Sequence, residues 1–510
     1  MTSPPQNPLQ KLQVIDQLEI GPVQITRNRL KAPYRVRQNS KQKVIELIYR
    51  FEEDVFQPDN EACINLAAMI AVQVGLNYGL FCKEILFHGP FDKTDQRFIH
   101  NMLQNTAREI YVKKFLEPNP FLIGDAADLP VIQHKNYVQA HIKFINPSTV
   151  RVTESQENGW ADPRKFAILS SGGKDSLLSY GLMNEMGFET HPIFINESGR
   201  HWYTALNAYR YFQKEIPFTA RVWTNCDRVF NWMLRHFNFI RPDYASIRSD
   251  EYPIRLWTVA VFLFGALPLL RKRGIGRLII GDEYDTSRRL SHQGIPHYDG
   301  LYDQSRYFDE ALSRYFLKKQ WGIAQFSILR YLSELLIEKI LVERYPRLQK
   351  HQMSCHAAHI VSERVLPCGQ CEKCRRIVGM LISIDGDPRH CGYTAAQIEH
   401  CLNNIAGKGV HQESAGVQHL KSLLYQKGKI TLSASAGRKL KEHPEILKVR
   451  IDPEHSPYEA IPSEIRHPLF KIYLSHAESA VKRKGRLWQE IDLFQDPDFH
   501  RRYRFDINIS

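Results

Sequence analysis

Apolar positions in the middle of the chain change period across one glycine-rich turn. Phe166-Ala167-Ile168-Leu169 is a short continuous apolar run, the pattern of a buried strand. Beyond the turn Leu178, Leu182 and Met186 recur every four residues, the pattern of one helix face, and Gly187 suits the helix end. The alternation then repeats. "HPIFIN", "RVWT" and "RLIIG" are further strand candidates, and runs starting near Trp202, Asp227 and Pro253 are the helix candidates between them. This predicts an α/β fold, a parallel sheet with helices on both faces, whose ligands sit at the carboxyl ends of the strands.

Upstream, "KVIELIYRFEEDVF" predicts a strand and "EACINLAAMIAVQVGLNYGLF" a helix. "KEILFHGPFDKTDQRFIHNMLQNTAREIYVKKF" predicts a strand, a Gly-Pro turn and a helix. The expected organisation is a flexible Pro- and Gln-rich start over 1–30, an N-terminal α/β domain over 31–152, a main domain over 164–400 and a basic accessory region over 401–510. The polar stretch 153–165 serves as the boundary. The most apolar run, 256–270, is short for a membrane span and contains Gly265 and Pro268, so it reads as a buried helix, with Asp250 and Glu251 as caps and Pro253 in its first turn. No basic segment followed by an apolar run opens the chain, so a cytoplasmic protein without a membrane span is expected.

Composition changes this picture in two respects. A formal charge of +13 over 510 residues suits nucleotides, phosphorylated metabolites, RNA or anionic lipid, or is simply a basic surface. Nine cysteines, four of them clustered, fit a reduced chain with a metal site better than a secreted disulfide framework. Cys368, Cys371 and Cys374 form a CxxCxxC downstream of Cys355, and four thiolates are what a closed tetrahedral structural zinc site needs. An iron–sulfur cluster or a redox thiol group is the alternative, with His356, His359 and Cys391 as spare ligands.

The turn itself reads Ser170-Ser171-Gly172-Gly173-Lys174-Asp175-Ser176. Glycines there allow close wrapping of a ligand, and the first amides of the following helix point at anions. The run resembles the SGGxDS signature of the PP-loop ATP pyrophosphatases, in the strand-loop-helix setting that family uses. The resemblance implies an adenine nucleotide α-hydrolase-like fold, ATP bound at Ser170 through Ser176, magnesium held with the help of Asp175, and attack on the α-phosphate. "GDEYDTSRR" brings Asp282, Glu283 and Asp285 to the end of a strand, as a second magnesium or substrate anchor or as a solvated turn paired with Arg288 and Arg289. Asn196, Glu197, Arg200 and His201 follow the second strand of the main domain, and Cys226 follows the third.

The wider pattern, SGGKDSLLSYG, NESGRHWYTALNAYR, WTNCDR, YPIRLWTVAVFLFGALPLL, GDEYD, HYDGLYDQSRYFD and SCHAAH through PCGQCEKCRR, resembles the ATP-dependent UDP-N-acetylmuramoyl-L-alanyl-L-glutamate epimerases from about 30 to 400. That resemblance implies ATP, Mg2+ and structural Zn2+ as cofactors, a UDP-linked muramyl dipeptide as substrate and a place in peptidoglycan precursor synthesis. It offers Lys174, Asp175, Asp282, His201 and Cys226 for catalysis, Asn196, Arg200, His201 and Arg306 for substrate, and Asp175 with Asp282 for magnesium. The base is left open among His201, Cys226, His292, His297 and the acids of 282–285. The loop and cysteine cluster also resemble 7-cyano-7-deazaguanine synthase, so adenylating modification of a nucleobase or tRNA is the second reading and a non-catalytic RNA-binding module the third. The intact loop counts against the third reading, and nucleic acid is not the expected partner.

Overall fold

The computed structural model describes residues 8–152, 161–247, 251–355, 357–410, 412–433, 437 and 440–506, and the Arg200 side chain is not among the described groups. Residues 1–7 of the start expected to be flexible over 1–30, the boundary residues 153–160, the capping Asp250 and the spare ligand His356 lie outside this set. The rest of that start is ordered, with Ile15–Ile20 and Gln24–Thr26 forming strands of the central sheet because their apolar side chains pack into its core.

The fold is mixed α/β, built on one eleven-stranded sheet. Its N-terminal strands are β1 (Ile15–Ile20), β2 (Gln24–Thr26), β3 (Arg29–Gln38), β4 (Lys41–Phe51), β5 (Cys82–His88) and β6 (His141–Ile145). The main-domain strands are β7 (Asp162–Ser170), β8 (Glu189–Glu197), β9 (Ala220–Thr224) and β10 (Ile275–Ile279). A hairpin of β11 (Arg289–His292) and β12 (Ile295–Tyr298) precedes the last sheet strand, β13 (Ala324–Phe326). The order is β13-β10-β7-β8-β9-β4-β3-β1-β5-β6, with β2 on β3. The run β13 through β9 is parallel throughout, as the alternating pattern predicts. Antiparallel pairing of β4 with β9 continues the sheet into the N-terminal strands, so the two expected α/β units share one sheet and one apolar core.

Helices flank the sheet. They are α1 (Glu61–Gly75), α2 (Lys93–Ile110), α3 (Lys174–Glu185), α4 (Tyr203–Glu215), α5 (Cys226–Leu234), α6 (Val259–Arg273), α7 (Arg306–Lys318) and α8 (Glu334–Arg344). The apolar run 256–270 is the buried α6, and among the described residues no helix is long and apolar enough to cross a membrane. This helix starts at Val259, later than the sequence signals suggest. Its amino end is held from a distance: Asp303 Oδ2 accepts the amides of Thr258 and Ala260, while Asn77 Oδ1 accepts those of Leu256 and Trp257. Side chains remote in sequence thus satisfy the terminal amides that local caps would otherwise serve.

Beyond α8 come α9 (Pro346–Gln349), the hairpin β14 (His359–Val361) and β15 (Arg364–Leu366), then α10 (Glu372–Ser383), α11 (Ala395–Ile405) and α12 (Ser414–Gln426). A three-stranded sheet, β16 (Val449–Ile451), β17 (Ala480–Lys484) and β18 (Leu487–Ile491), together with α13 (Ser463–Leu474), packs into the same apolar cluster as β7, α3 and α8.

Candidate active site and cysteine cluster

The glycine loop leaves β7 at its carboxyl end and enters α3 directly. Gly172 has φ of +74°, and a Cβ there would lie 2.8 Å from the Ala205 Cα and the Thr204 carbonyl of α4. Glycine is required twice over, for the left-handed backbone and for the close approach. The first intrahelical bond of α3 runs from the Leu177 amide to the Gly173 carbonyl, so the amides of 174–176 have no partner within the helix. Ser176 Oγ donates to the Gly173 carbonyl and fixes the turn.

The loop opens on a cavity of about 400 Å3 at the carboxyl ends of β7, β8 and β10. Ser170, Ser171, Gly173, Lys174, Asp175 and Ser176 all line it, together with His201 and Asp282. The loop after β10 comes close because Gly281 lacks a Cβ; one there would lie 2.6 Å from the Asp175 Cβ.

Lys174 is buried and paired with Asp175 Oδ1 at 2.8 Å and Glu334 Oε1 at 2.9 Å. Burial opposes its charge, but the fields of Asp175, Glu334 and Glu283 outweigh burial and raise its pKa. Glu334, the first residue of α8, also faces Arg376 Nη1 of α10 at 3.3 Å. Burial and then the field of neighbouring acids, Asp175 among them, push Glu283 above the usual carboxylate range against the pull of Lys174. The Asp282 carboxylate turns toward buried Arg330, at 3.4 Å. The solvated-turn alternative for this acidic run does not describe the geometry, since Arg288 pairs with Asp299 and Arg289 lies over the Tyr307 ring.

On the β8 side, Glu197 is 4% exposed and accepts from His201 Nδ1 at 3.0 Å. The imidazole itself is about half exposed to the cavity. Burial works against ionised Glu197, yet the His201 hydrogen bond, the charge of His201 and Arg255 hold its pKa below the ordinary value. Cys226 lies behind this pair, fully buried, with Sγ 3.9 Å from Glu197 Oε1. Burial and the Glu197 charge push the thiol well up, and Cys226 is not in the cavity lining, which sets it apart from His201.

Other sequence candidates stand elsewhere. Asn196 is half-buried at the end of β8 and is not in the cavity lining. Arg306 binds the Glu454 carbonyl at 2.8 Å and the Glu310 carboxylate, away from the cavity. His297 is buried in the β11–β12 hairpin, with Nδ1 3.2 Å from the Tyr298 carbonyl. Glu334 and Arg376 are cavity residues that the motif reading did not select; they lie far along the chain from the loop, and an acid after Ser333 reads as an ordinary helix start.

Cys355, Cys368, Cys371 and Cys374 converge, with all four Sγ atoms within 4.8 Å of one another. Separations of 3.5 Å for Cys371–Cys374 and 3.9 Å for both Cys368–Cys374 and Cys355–Cys371 compare with about 3.8 Å between sulfurs around tetrahedral zinc. Amide donors complete the fit: Cys368 N–H points at Cys355 Sγ at 3.2 Å, and the amides of Gln370 and Cys371 at Cys368 Sγ, each at 3.4 Å. The group can hold a metal ion such as zinc. Cys391 is not part of it, being bonded to Gln349, and His359 is exposed on β14.

The C-terminal sheet reaches the acidic run. Tyr284 Oη donates to Asp452 Oδ2 at 2.8 Å, and Arg450 stacks on the Tyr284 ring while pairing with both oxygens of Glu413. Compared with known proteins, the chain matches no protein-family model and no curated protein.

Proposed function

We propose that the chain uses ATP to adenylate a carboxylic acid and then inverts the adjacent carbon, acting as an epimerase on the terminal L-glutamate of UDP-N-acetylmuramoyl-L-alanyl-L-glutamate. The observation that carries this reading is one cavity shared by the glycine loop, the Asp175–Asp282 acids and the Glu197–His201 pair. The identity of the acid rests on the resemblance of the sequence segments; the geometry supports the two chemical halves.

In the first half, loop amides and serine hydroxyls bind the polyphosphate and Lys174 offsets its charge. Asp175 would hold magnesium, with Asp282 joining it only if its carboxylate leaves Arg330, and the ion would supply further charge neutralisation along the phosphates. The substrate carboxylate attacks the α-phosphorus, pyrophosphate leaves, and an acyl-adenylate remains. In the second half, loss of the carboxylate charge acidifies the α-proton. His201, aligned by buried Glu197, removes it at Nε2, as a general base oriented by a carboxylate does. Reprotonation on the opposite face and attack by water then release AMP and the D-glutamyl product. Adenylating modification of a nucleobase uses the first half alone and gives the Glu197–His201 pair no task.

The test is incubation with ATP, magnesium and UDP-N-acetylmuramoyl-L-alanyl-L-glutamate in D2O. Pyrophosphate release together with deuterium at the glutamyl α-carbon is expected. Cleavage to ADP and orthophosphate, or pyrophosphate release only with a purine precursor or tRNA, would reject the proposal.

A further inference from the structure

A second concavity, of about 720 Å3, lies on a different face of α4. Thr204 and Ala205 border the loop cavity, whereas Asn207, Arg210, Tyr211 and Lys214 border this groove, and no residue lines both. The opposite wall is the β14–β15 turn together with residues 350–351 and 389–390. Asn207 ties the walls together, accepting the Val365 amide at 2.9 Å and donating to the Val365 carbonyl at 2.8 Å.

Charge in the groove is one-sided. Arg210, Lys214, Lys350, Arg364 and Arg389 face two carboxylates, Glu215 and Glu363. Glu215 is paired with Lys214 at 3.4 Å, and Arg389 is held by Asp387 at 2.9 Å. Arg210 and Arg364 are held differently. Arg210 donates to the Glu363 carbonyl, and Arg364 donates to the His390 carbonyl at 2.9 Å and the Lys350 carbonyl at 3.4 Å. Carbonyl oxygens fix these cations without cancelling their charge. Beside them Tyr211 and His351 stack at 4.2 Å and 17°, giving a flat wall. Burial and then the fields of Arg364 and Lys350 lower the His351 pKa, as a ring facing uncompensated cations should show.

We propose that this groove binds a phosphate-bearing small molecule, with Arg210, Lys350 and Arg364 receiving the phosphates. Planar guanidiniums match phosphate oxygens in pairs, and the volume suits a nucleotide-sized ligand rather than a polymer track. The anion belongs either to the far end of the substrate whose acid enters the loop cavity or to a separate free phosphate compound.

The experiment is equilibrium binding of inorganic pyrophosphate to the full chain saturated with a non-hydrolysable ATP analogue, which occupies the loop cavity. Lys214 and Lys350 are exposed, so K214E/K350E should fold normally. The wild type should bind pyrophosphate under these conditions. The double variant should bind it at least about tenfold more weakly at unchanged analogue affinity, because reversing rim charges removes attraction without disturbing packing. R364Q, which keeps hydrogen-bonding capacity, should give a smaller loss in the same direction. Unchanged binding in K214E/K350E, binding only without the analogue, or salt-sensitive binding of RNA with none of pyrophosphate would overturn the proposal. A raised KM at unchanged kcat in the double variant assigns the anion to the substrate's far end; an unchanged KM assigns it to a separate ligand.

Discussion

The amide of Met353 donates to the carbonyl of Gly172 at 3.1 Å. Cys355 stands two residues beyond Met353, and Ser354 lines the loop cavity, so the segment hydrogen-bonded to the glycine loop runs directly into the cysteine cluster. After the cluster, Arg376 returns to the cavity and meets Glu334, the partner of Lys174. The cysteine group therefore braces both ends of one wall of the site.

Cys371→Ser should lower metal content from about one equivalent to about zero and lower thermal stability with it, since metal binding is coupled to folding. Nucleotide binding should weaken in the same variant, because the wall at 353–354 loses its support. Elemental analysis, thermal melts and ATP titration read the three effects; full metal content with normal melting would remove Cys371 from the ligand set.

Gly172→Ala tests the loop geometry. It forces a Cβ at φ of +74° and against the α4 backbone, at a cost of about 2–4 kcal/mol. A shift in the denaturation midpoint with loss of ATP binding is the expected pair of results. Gly187→Ala, also at positive φ but with open space around it, should affect stability alone.

Glu334→Gln leaves buried Lys174 and half-buried Arg376 with one carboxylate fewer. Breaking such a network typically costs about 3–5 kcal/mol. Chemical denaturation reads this directly, and an unchanged midpoint would show that Asp175 and Glu372 suffice.

Glu197→Gln and His201→Ala separate the two chemical halves. Each should retain pyrophosphate release and slow deuterium incorporation by about 10²–10⁴-fold, the usual contribution of a positioned base. Parallel loss of both signals would place the pair in substrate binding instead.

Glu338 is fully buried, and burial raises it from 4.5 to about 7 against the hydrogen bond from Gln352. Glu338 Oε1 and Gln352 Oε1 both lack hydrogen-bond partners, so ionised Glu338 holds its charge with one donor only. A raised acid favours folding while protonated. Its contribution is complete below the unfolded value of 4.5 and falls away as pH rises to about 7. Glu338→Gln should flatten stability over that window and make the variant the more stable protein above pH 7. Melting temperatures between pH 5 and 8 check the sign.

Local pattern determined what neighbouring residues decide among themselves. The strand-loop-helix unit at 166–187 and the CxxCxxC turn depend on hydrophobic period, glycine backbone freedom and ligand spacing within a few residues, and all of these are written in order along the chain. Even the Glu197–His201 pair is local, four residues apart at a strand end, though only the fold shows that its imidazole, rather than His292 or His297, faces the cavity. Tertiary packing decided the rest. Glu334 and Arg376 reach the loop, Asp303 caps α6, and Asp452 meets Tyr284 across 168 residues of chain. No periodicity marks such partners, because a buried charge is satisfied by whichever opposite charge or donor the folded layers bring alongside it.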